Sequence, residues 1–373
     1  MTTVATTRDT RVTAALAAVE DAFGTRPAAD APAWLQPARE KAFATFRGTG
    51  LPLTRDEDWK YTSLAGFAER SAAYLQNHPS SDDDAAVTTL LDALPDAEDG
   101  IRIVFVNGRY RADLSNTSRA EPGVDLTPYS AIDAESGSRI LNRQPVDDNA
   151  LIALNTAFLT DGLAIRVADG CRADGPMHVI FAADGQPAAV QPRLSVELGR
   201  NARAFVVQHH IGTGEALTNA VTRIDCAEHA HLFFVRLQDE SHQSIHVANQ
   251  LASVATDGRL DSVSIDFGAQ LARNDLELEL DGERAHANLF GLFMANGSRH
   301  VDNHLRVDHR MPDTTSMENY RGIISDAARG VFNGKIIVHP GADGTDAQMS
   351  NRNLVLSDRA EIDTEPELEI YTD

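Results

Sequence analysis

The spacing of hydrophobic and polar positions changes once along this chain, near residue 100. Up to about residue 95 the apolar residues recur at steps of three and four, which is the period of one face of an α-helix. Four helices are predicted: around residues 12–23, after Trp34, from a capping box at residues 54–57, and near residues 85–94. The pattern therefore predicts a helical N-terminal domain over residues 1–98.

From Ile101 onward the apolar residues alternate with their neighbours, which is the period of a β-strand. Asn107 and Gly108 form a turn signal after the first strand. Residues 115–145 are polar and rich in turn formers, so we expect a loop, and residues 150–158 are predicted to form a short amphipathic helix. From residue 163 to the end, short apolar runs bounded by Gly, Pro, Asn and Asp predict successive strands.

This β region contains a weak repeat of a polar corner, a small position and a strand. Periods in the twenties and thirties without helices indicate a solenoid of β-coils. We predict a mainly β protein with a β-solenoid domain over residues 99–373, and a β-sandwich or jelly roll is the alternative. The longest gap in the repeat is interpreted as a loop insertion around residues 311–316. The repeated positions are Ala202, Ala230, Leu260, Ala285, Ala328 and Ala360, spaced by 28, 30, 25, 43 and 32 residues.

Composition and charge exclude several classes of protein. The formal charge of −22 argues against a nucleic-acid binder or a protein of anionic membrane surfaces, because both need clustered Lys and Arg. No apolar run approaches 18 residues, and residues 1–13 carry no leader pattern. The chain has 2 cysteines, too few for a disulfide framework. We therefore expect a protein of the reducing cytoplasm.

Histidines supply the first candidate chemistry. His300, Asp302 and His304 lie two residues apart on a predicted strand, so their side chains share one face. Imidazole and carboxylate groups are metal ligands, which makes His300 and His304 candidate metal-binding residues. The alternative is a solvated polar face on the outside of a coil. Two further pairs are interpreted as structural: His209 with His210, and His229 with His231, for which no carboxylate partner is evident.

The cysteines are the second candidates. An iron–sulfur cluster normally requires about four thiolates or equivalent ligands. Cys171 and Cys226 cannot hold a cluster alone, although Cys226 could supply one metal ligand at a shared site. The alternative for each is a small buried apolar residue. We assign no catalytic residue.

Three motifs carry a resemblance to a known family. The segment GKIIVHPGADGTDAQMSNRNLVLSDRAEIDTEPELEIY, residues 334–371, is similar to the core of the SufB/SufD family of iron–sulfur cluster assembly scaffolds. Residues 55–64, RDEDWKYTSL, resemble the N-terminal motif of the SufD branch, and residues 155–162 add a weaker likeness. The resemblance implies a right-handed parallel β-helix and a scaffold subunit that is not itself an enzyme.

The resemblance also implies partners. Such proteins are expected to pair with a SufB-like subunit and a SufC-like ABC ATPase, which together build clusters and pass them to apo-protein acceptors. A cluster would be shared at the partner interface rather than held by this chain alone. In the family, the segment matching Leu368–Asp373 is followed by a stretch with the Cys and His of that site and by a helical domain. We therefore expect a fragment that binds the SufB-like partner weakly and the ATPase hardly at all.

Two other functions remain as alternatives. A polysaccharide-active β-helix enzyme would need an aromatic-lined cleft, yet aromatic residues are only 6% of the chain and Trp occurs only at positions 34 and 59. A cupin-like metalloenzyme based on histidine would need three converging ligands, which the alternation of side chains along a strand disfavours. The scaffold hypothesis accounts for more of the sequence than either alternative.

Overall fold

The computed structural model describes residues 7–27, 31–77, 84–94, 100–142 and 149–372. Short 3-10 helices cover Ala33–Leu35, Glu57–Trp59, Ala112–Leu114 and Tyr129–Ala131. Within these described ranges, no helix is long and apolar enough to cross a membrane. The α-helices are α1 (Thr7–Thr25), α2 (Gln36–Thr49), α3 (Ala65–Tyr74), α4 (Asp84–Asp92), α5 (Ala134–Asn142) and α6 (Ala150–Phe158).

Three of the four N-terminal helices are confirmed as predicted, and they correspond to α1, α2 and α4. The predicted capping box at residues 54–57 is wrong. Asp56 precedes the 3-10 turn Glu57–Trp59 without making a side-chain cap, and its carboxylate instead accepts a hydrogen bond from the Leu53 amide at 2.7 Å. The next α-helix begins only at Ala65. The prediction that residues 1–13 carry no leader pattern falls partly on residues 1–6, which lie outside the described residues.

The region between the helices and the solenoid differs from the prediction in two ways. Residues 115–145 are not all loop, because they contain the strand Val124–Pro128 and helix α5. Helix α6 has the predicted bounds but is not amphipathic, since all of its residues are buried. Asn149 caps this helix, and its side-chain oxygen accepts hydrogen bonds from the amides of Leu151 and Ile152. Helix α6 is thus a core element that packs between α2 and the sheet.

The strands alternate between two sheets as the chain winds. The first sheet, sheet A, has the order β18-β16-β14-β12-β10-β8-β5-β1-β2, and sheet B has the order β19-β17-β15-β13-β11-β9-β7-β4-β3, with β6 beside β9. The strands are β1 (Ile101–Val106), β2 (Arg109–Tyr110), β3 (Val124–Pro128), β4 (Leu163–Val167), β5 (Arg172–Gly185), β6 (Ala189–Val190), β7 (Arg193–Leu198), β8 (Arg203–Gly214), β9 (Leu217–Cys226), β10 (His231–Glu240), β11 (Ile245–Val254), β12 (Arg259–Asp266), β13 (Leu271–Leu280), β14 (His286–Ala295), β15 (His300–His309), β16 (Thr315–Ile324), β17 (Arg329–Val338), β18 (Asp346–Val355) and β19 (Glu361–Ile370).

Successive coils pair in parallel and in register, which gives a parallel β-solenoid of about seven turns. The predicted fold class is therefore confirmed, and the sandwich alternative is wrong. Each residue of a strand lies directly beside a residue about 28 positions away, so the coils form straight rows of side chains. In these rows His231 lies beside Arg259, and His300 lies beside Arg329.

One corner of the solenoid repeats the same backbone conformation in successive coils. Asn201, His229, Asp257, Arg284 and Asp313 all have φ between 53° and 58°. This left-handed conformation is uncommon for residues other than Gly, and Asn and Asp tolerate it best. Because every coil places one such residue at this corner, the chain turns at the same point each time.

The sequence repeat mixes two different corners of the coil. Ala202, Ala230 and Ala285 follow the left-handed residues, and Gly258, not Leu260, is their equivalent in the intervening coil. The last two predicted positions, Ala328 and Ala360, lie at the opposite corner, before strands β17 and β19 of sheet B. The long gap thus arises from a change of corner. The predicted loop insertion at residues 311–316 is wrong, since residues 310–314 are an ordinary corner between β15 and β16.

The interior of the solenoid is apolar along one side. The first half of each sheet A strand and the second half of each sheet B strand supply this core, as Leu232, Phe234, Leu278 and Leu280 show. The outer faces are covered at different places. Helix α4 packs against sheet A at the first coils, and residues 49–62 cross the outer face of sheet B.

Candidate functional site

His300, Asp302 and His304 lie on the outer face of strand β15, as the alternation of side chains predicted. The expected solvated face is nevertheless wrong at Asp302, which is 0% exposed. Residues 58–62 of the N-terminal region lie over this part of the sheet and exclude water from it. The three residues therefore belong to an interface within the chain.

Asp302 is the centre of a buried network of charges. Arg273, on the neighbouring strand β13, places Nη1 2.9 Å from Oδ2 of Asp302 and Nε 2.9 Å from Oδ1 of Asp275. Nε2 of His304 lies 3.0 Å from Oδ1 of Asp302. Burial opposes the charged form of Asp302, but Arg273 and His304 outweigh burial and hold its pKa well below the usual range. The carboxylate is charged at neutral pH.

The N-terminal motif docks onto this network through three groups. The Thr62 hydroxyl donates to Asp302 Oδ2 at 2.5 Å and lies 2.8 Å from His300 Nε2. Since the hydroxyl has one proton, which goes to Asp302, the ring nitrogen of His300 is the donor to Thr62. Arg273 donates to the Asp58 carbonyl at 2.8 Å, and its guanidinium lies 3.6 Å from the centre of the Trp59 ring. Trp59 and Thr62 of the sequence motif thus anchor the helical region to the solenoid.

Beside this anchor a cleft of about 760 Å³ opens between residues 49–59, the start of helix α6 and sheet B. Its floor consists of two rows in register across β13, β15 and β17. One row is Asp275, His304 and Asn333, and the other is Glu277, Arg306 and Lys335. The volume lies in the range of small-molecule sites. Acidic and basic groups balance on this floor, so it suits a polar ligand without a strong net charge.

Most charges of the cleft already have partners within the chain. Arg306 donates to Asp308 at 2.7 Å, and Lys335 Nζ lies 2.7 Å from Glu369. Among the described residues no group of three His, Cys, Asp or Glu side chains is arranged to hold a metal ion. Metal binding by His300 and His304 stays a prediction. His300 is hydrogen-bonded to the Thr62 hydroxyl, and His304 Nε2 lies within ion-pair distance of Asp302 Oδ1.

The other predicted histidine pairs have different positions. His209 is buried on the outer face of sheet A, with Nε2 3.0 Å from His178 Nδ1. Burial and the neighbouring His178 lower the pKa of His209 to about 4. His231 has a carboxylate partner that the sequence analysis missed, since Nε2 lies 2.7 Å from Asp261 Oδ2. His231 and Asp261 are 30 residues apart, which is close to the period of the repeat. This spacing was the signal in the sequence that could have identified the pair.

The two cysteines lie in different environments. Cys226 is 3% exposed in the apolar core, and burial raises the pKa of its thiol to about 12. The interpretation of Cys226 as a small buried residue is confirmed, and the protonated thiol is a poor metal ligand. Cys171 is half-buried rather than buried, and its Sγ donates to the Pro122 carbonyl at 3.4 Å. Participation of Cys226 in a shared cluster stays a prediction.

The interior contains polar groups that the sequence analysis did not identify. Glu240 is buried against His246, whose Nδ1 lies 2.7 Å from the carboxylate, and Thr218 donates to the other oxygen at 2.5 Å. Burial opposes the charge of Glu240, but His246 lowers its pKa to about 2. Alternation alone does not show that Glu240, His246 and Thr218 point inward. The register of the coils is needed as well. Further hydrogen-bonded or ion-paired pairs in this polar half of the interior are Arg236 with Asp266, Gln208 with Thr222, and Gln250 with Asn274.

The acidic end of the chain is a row of carboxylates on the outer face of β19. Arg329 donates to Asp363 at 2.6 Å, Lys60 donates to Glu365 at 2.8 Å, and Lys335 Nζ lies 3.2 Å from Glu367. These residues are paired with the preceding coil and with the N-terminal motif. These ion pairs connect the last coil to strand β17 and to Lys60 of the N-terminal motif.

Comparison with known proteins covers almost the whole chain. Residues 26–179 match the family model of the SufBD protein N-terminal region, and residues 180–373 match that of the SUF system FeS cluster assembly SufBD core domain. The chain is 31% identical over 336 residues to the iron–sulfur cluster assembly protein SufD of Escherichia coli, which covers 87% of this chain and 75% of that protein. It is 29% identical over 338 residues to a SufBD family protein of Synechocystis, covering 87% and 74%.

A more distant relative is the chloroplastic protein ABCI7 of Arabidopsis thaliana. It is 22% identical over 368 residues, which cover 95% of this chain and 76% of that protein. The two family models meet at residues 179 and 180, inside strand β5. The domain boundary predicted between residues 98 and 99 lies just before strand β1, which begins at Ile101. It does not coincide with the point where the two family models meet, and it stays a prediction.

Proposed function

Because this chain belongs to the SufBD family of the SUF iron–sulfur cluster assembly system, we propose that it is a SufD-like scaffold subunit without catalytic activity of its own. It would pair with a SufB-like subunit and a SufC-like ABC ATPase, and the ATPase would supply ATP hydrolysis. The observation that carries the proposal is the match of the two SufBD family models to consecutive parts of the chain, from residue 26 to residue 373.

The arrangement of charges supports a binding role. Arg273 and Asp302 hold the N-terminal segment against the solenoid through hydrogen bonds within the chain, and His304 lies beside Asp302 at 3.0 Å. A catalytic acid or base must reach a substrate proton, and Asp302 is 0% exposed. An iron–sulfur cluster is then the cargo of the assembled complex. We propose that it forms at the partner interface, and that the complex transfers it to apo-proteins in the cytoplasm.

Purification of the complex tests this proposal. The protein would be tagged at its N-terminus in the cells that produce it, isolated without oxygen, and its companions identified by mass spectrometry. With the protein encoded at its own chromosomal position, we expect a SufB-like protein and an ABC-type ATPase in stoichiometric amounts. Residues 1–373 alone should bind the SufB-like protein weakly and the ATPase hardly at all. ATP hydrolysis should occur only when the ATPase is present. A tagged Asp302→Asn variant, which we expect to weaken the fold, serves as the control for non-specific capture of unfolded chains.

Two results would contradict the proposal. The first is ATP hydrolysis by the purified chain alone. The second is purification without an ATPase or a SufB-like protein at any salt concentration. Replacing both cysteines, Cys171→Ser with Cys226→Ala, separates the cluster ligands from the scaffold, because alanine places no unpaired hydroxyl in the apolar core. We expect the complex to assemble unchanged and cluster content to fall only if one of these thiols is a ligand.

A further inference from the structure

Part of the outer face of sheet A is apolar and partly exposed beyond its first coils, beside rows of polar residues. Two rows in register carry this surface, which we call the apolar face: Val235, Val263 and Phe290 in one row, and Leu237, Ile265 and Leu292 in the other. The exposed fraction is 38% at Phe290, and Phe233 and Met317 at the edge of the rows are 37% and 42% exposed. Contiguous apolar surface of this kind marks sites of protein interaction.

The same sheet face already binds one helix of this chain. Val87 and Leu91 of helix α4 pack against Ile180, Ala182 and Ile211 of strands β5 and β8. The row that contains Ile180 continues through His209 to Leu237, so the apolar face is the direct extension of the surface that α4 covers. The segment from Asp84 to Leu94, DAAVTTLLDAL, has two aspartates and no basic residue. An acidic amphipathic helix therefore fits this sheet.

Two arginines stand at the far end of the rows. The row of Leu292 continues to Arg321 on β16 and Arg352 on β18, which are paired in register. Residues in register on neighbouring strands lie about 4.8 Å apart, so two cations there repel each other. Arg321 donates only to the carbonyls of Tyr320 and Ser350, and within the described ranges neither arginine has a carboxylate partner.

This arginine pair differs from the cations of sheet B in its lack of carboxylate partners among the described residues. The chain has 55 acidic and 33 basic residues, so carboxylates are abundant. On sheet B, Arg306 and Lys335 are also in register, but Arg306 pairs with Asp308 and Lys335 pairs with carboxylates of β19. Arg321 and Arg352 instead face outward beside apolar side chains. A negative group from outside the chain would relieve their repulsion.

We propose that the apolar face binds an amphipathic α-helix of a partner protein, with acidic residues that lie against Arg321 and Arg352. The rows from β10 to β18 span four strand spacings, about 19 Å, which corresponds to about 13 helical residues. The helix lies across the strands with its apolar stripe on Leu237, Ile265 and Leu292. Its C-terminal end, where the helix dipole is negative, points to the arginines.

Peptide binding by the full chain tests the chemistry of this surface. The probes are two fluorescein-labelled, hydrocarbon-stapled 14-residue helices with one Leu and Ile stripe, which carry either three Glu or three Lys in the last turn. We expect the Glu peptide to bind at least tenfold more tightly. In the double variant Arg321→Glu with Arg352→Glu, the preference should reverse in favour of the Lys peptide.

Matched variants distinguish the apolar face from other surfaces. Leu292→Ser with Phe290→Ser should weaken the Glu peptide at least tenfold, whereas Arg166→Glu on sheet B should leave its affinity unchanged. Thermal melting confirms that each variant is folded. Equal affinity for both peptides, or no loss with the serine variant, would overturn the proposal.

The natural occupant is identified by photo-crosslinking. Benzoylphenylalanine replaces Phe290, or Glu279 on sheet B as the control, in cells that produce the protein. The captured segment is then sequenced. We expect an acidic amphipathic helix of another protein at position 290 only, lost in the double arginine variant. Capture of a second copy of this chain, capture of a segment that is not helical and acidic, or equal capture at position 279 would overturn the proposal.

Discussion

The two outer faces of the solenoid differ in how they are completed. Sheet B carries the row Glu277, Arg306, Lys335 and Glu367, in which the two central cations pair with carboxylates of the chain. Residues 49–62 cover part of this sheet. Sheet A carries apolar rows, and helix α4 covers only the first coils. Within the described ranges most charges of sheet B are therefore paired, whereas no element covers the apolar rows beyond helix α4. This difference is the basis of our proposal that a partner helix binds the apolar face and not the charged one.

The largest expected effect is at the buried charge of sheet B. Asp302→Ala removes one of the two carboxylates that pair with the buried guanidinium of Arg273, while Asp275 remains, and should lower the free energy of unfolding by about 3 kcal/mol. The measurement is equilibrium unfolding in urea. Asp363→Ala is the control, because this carboxylate pairs with Arg329 in the same outer row but is about one-third exposed, and we expect a loss of at most about 1 kcal/mol. Equal losses would show that burial does not distinguish the two ion pairs.

An aromatic residue on each face gives the next test. Trp59→Ala removes a side chain that is 9% exposed and stacks on Arg273, so a loss of about 3 kcal/mol is expected. Phe233→Ala on sheet A removes a side chain that is 37% exposed, and the loss should stay below about 1 kcal/mol. Limited proteolysis should cleave residues 49–62 only in the Trp59 variant. If cleavage there is unchanged, Trp59 does not anchor this segment.

The covered part of sheet A should make stability depend on pH. The pKa of His209 is lowered to about 4 by burial and His178, whereas an unfolded histidine has a pKa near 6.5. Between these values the unfolded chain binds more protons, so stability falls as the pH falls. At pH 5 this single group should cost about 2 kcal/mol relative to pH 7.

The control for that effect is a variant whose side chain does not titrate. His209→Gln should reduce the loss of stability between pH 7 and pH 5 by about 2 kcal/mol, whatever its effect at pH 7. An unchanged slope in the His209 variant would mean that this histidine is accessible to protons in the folded state.

The smallest effect concerns the arginine pair. Arg352→Glu places opposite charges in register at Arg321, as in the rows of sheet B, and should raise the free energy of unfolding by about 0.3–0.5 kcal/mol. Lys335→Glu makes the reverse change and places like charges beside Glu367, so a similar loss is expected. Both are measured by thermal unfolding at low salt. A loss in the Arg352 variant would indicate that the pair is stabilised within the isolated chain.

Much of the fold follows from local patterns in the sequence. Alternation predicted the strands and the shared face of His300, Asp302 and His304, and turn signals predicted the hairpin at Asn107 and Gly108. The period of the repeat predicted a solenoid. These properties depend on neighbouring residues along the chain, which is why a single sequence is sufficient to predict them.

The candidate site could not be predicted in the same way. The partners of Asp302 are Arg273 and Thr62, which lie 29 and 240 positions away in the sequence. Finding them requires the register of the coils and the path of residues 49–62. The confusion of the two corners, at Ala328 and Ala360, shows that the repeat alone does not establish this register. The alternation also suggested that His300 and His304 lie on a solvated face. This was wrong because residues 58–62, which are far away in the sequence, cover that face.

The polar half of the interior has a consequence for the response of the protein to heat. Unfolding would transfer Gln208, Arg236, Glu240, His246 and Asp266 to water, and the hydration of polar surface lowers the heat capacity whereas that of apolar surface raises it. The heat-capacity increment per residue should therefore lie below that of a solenoid with an apolar interior throughout. A smaller increment flattens the curve of stability against temperature, so this protein would approach cold and heat denaturation more gradually.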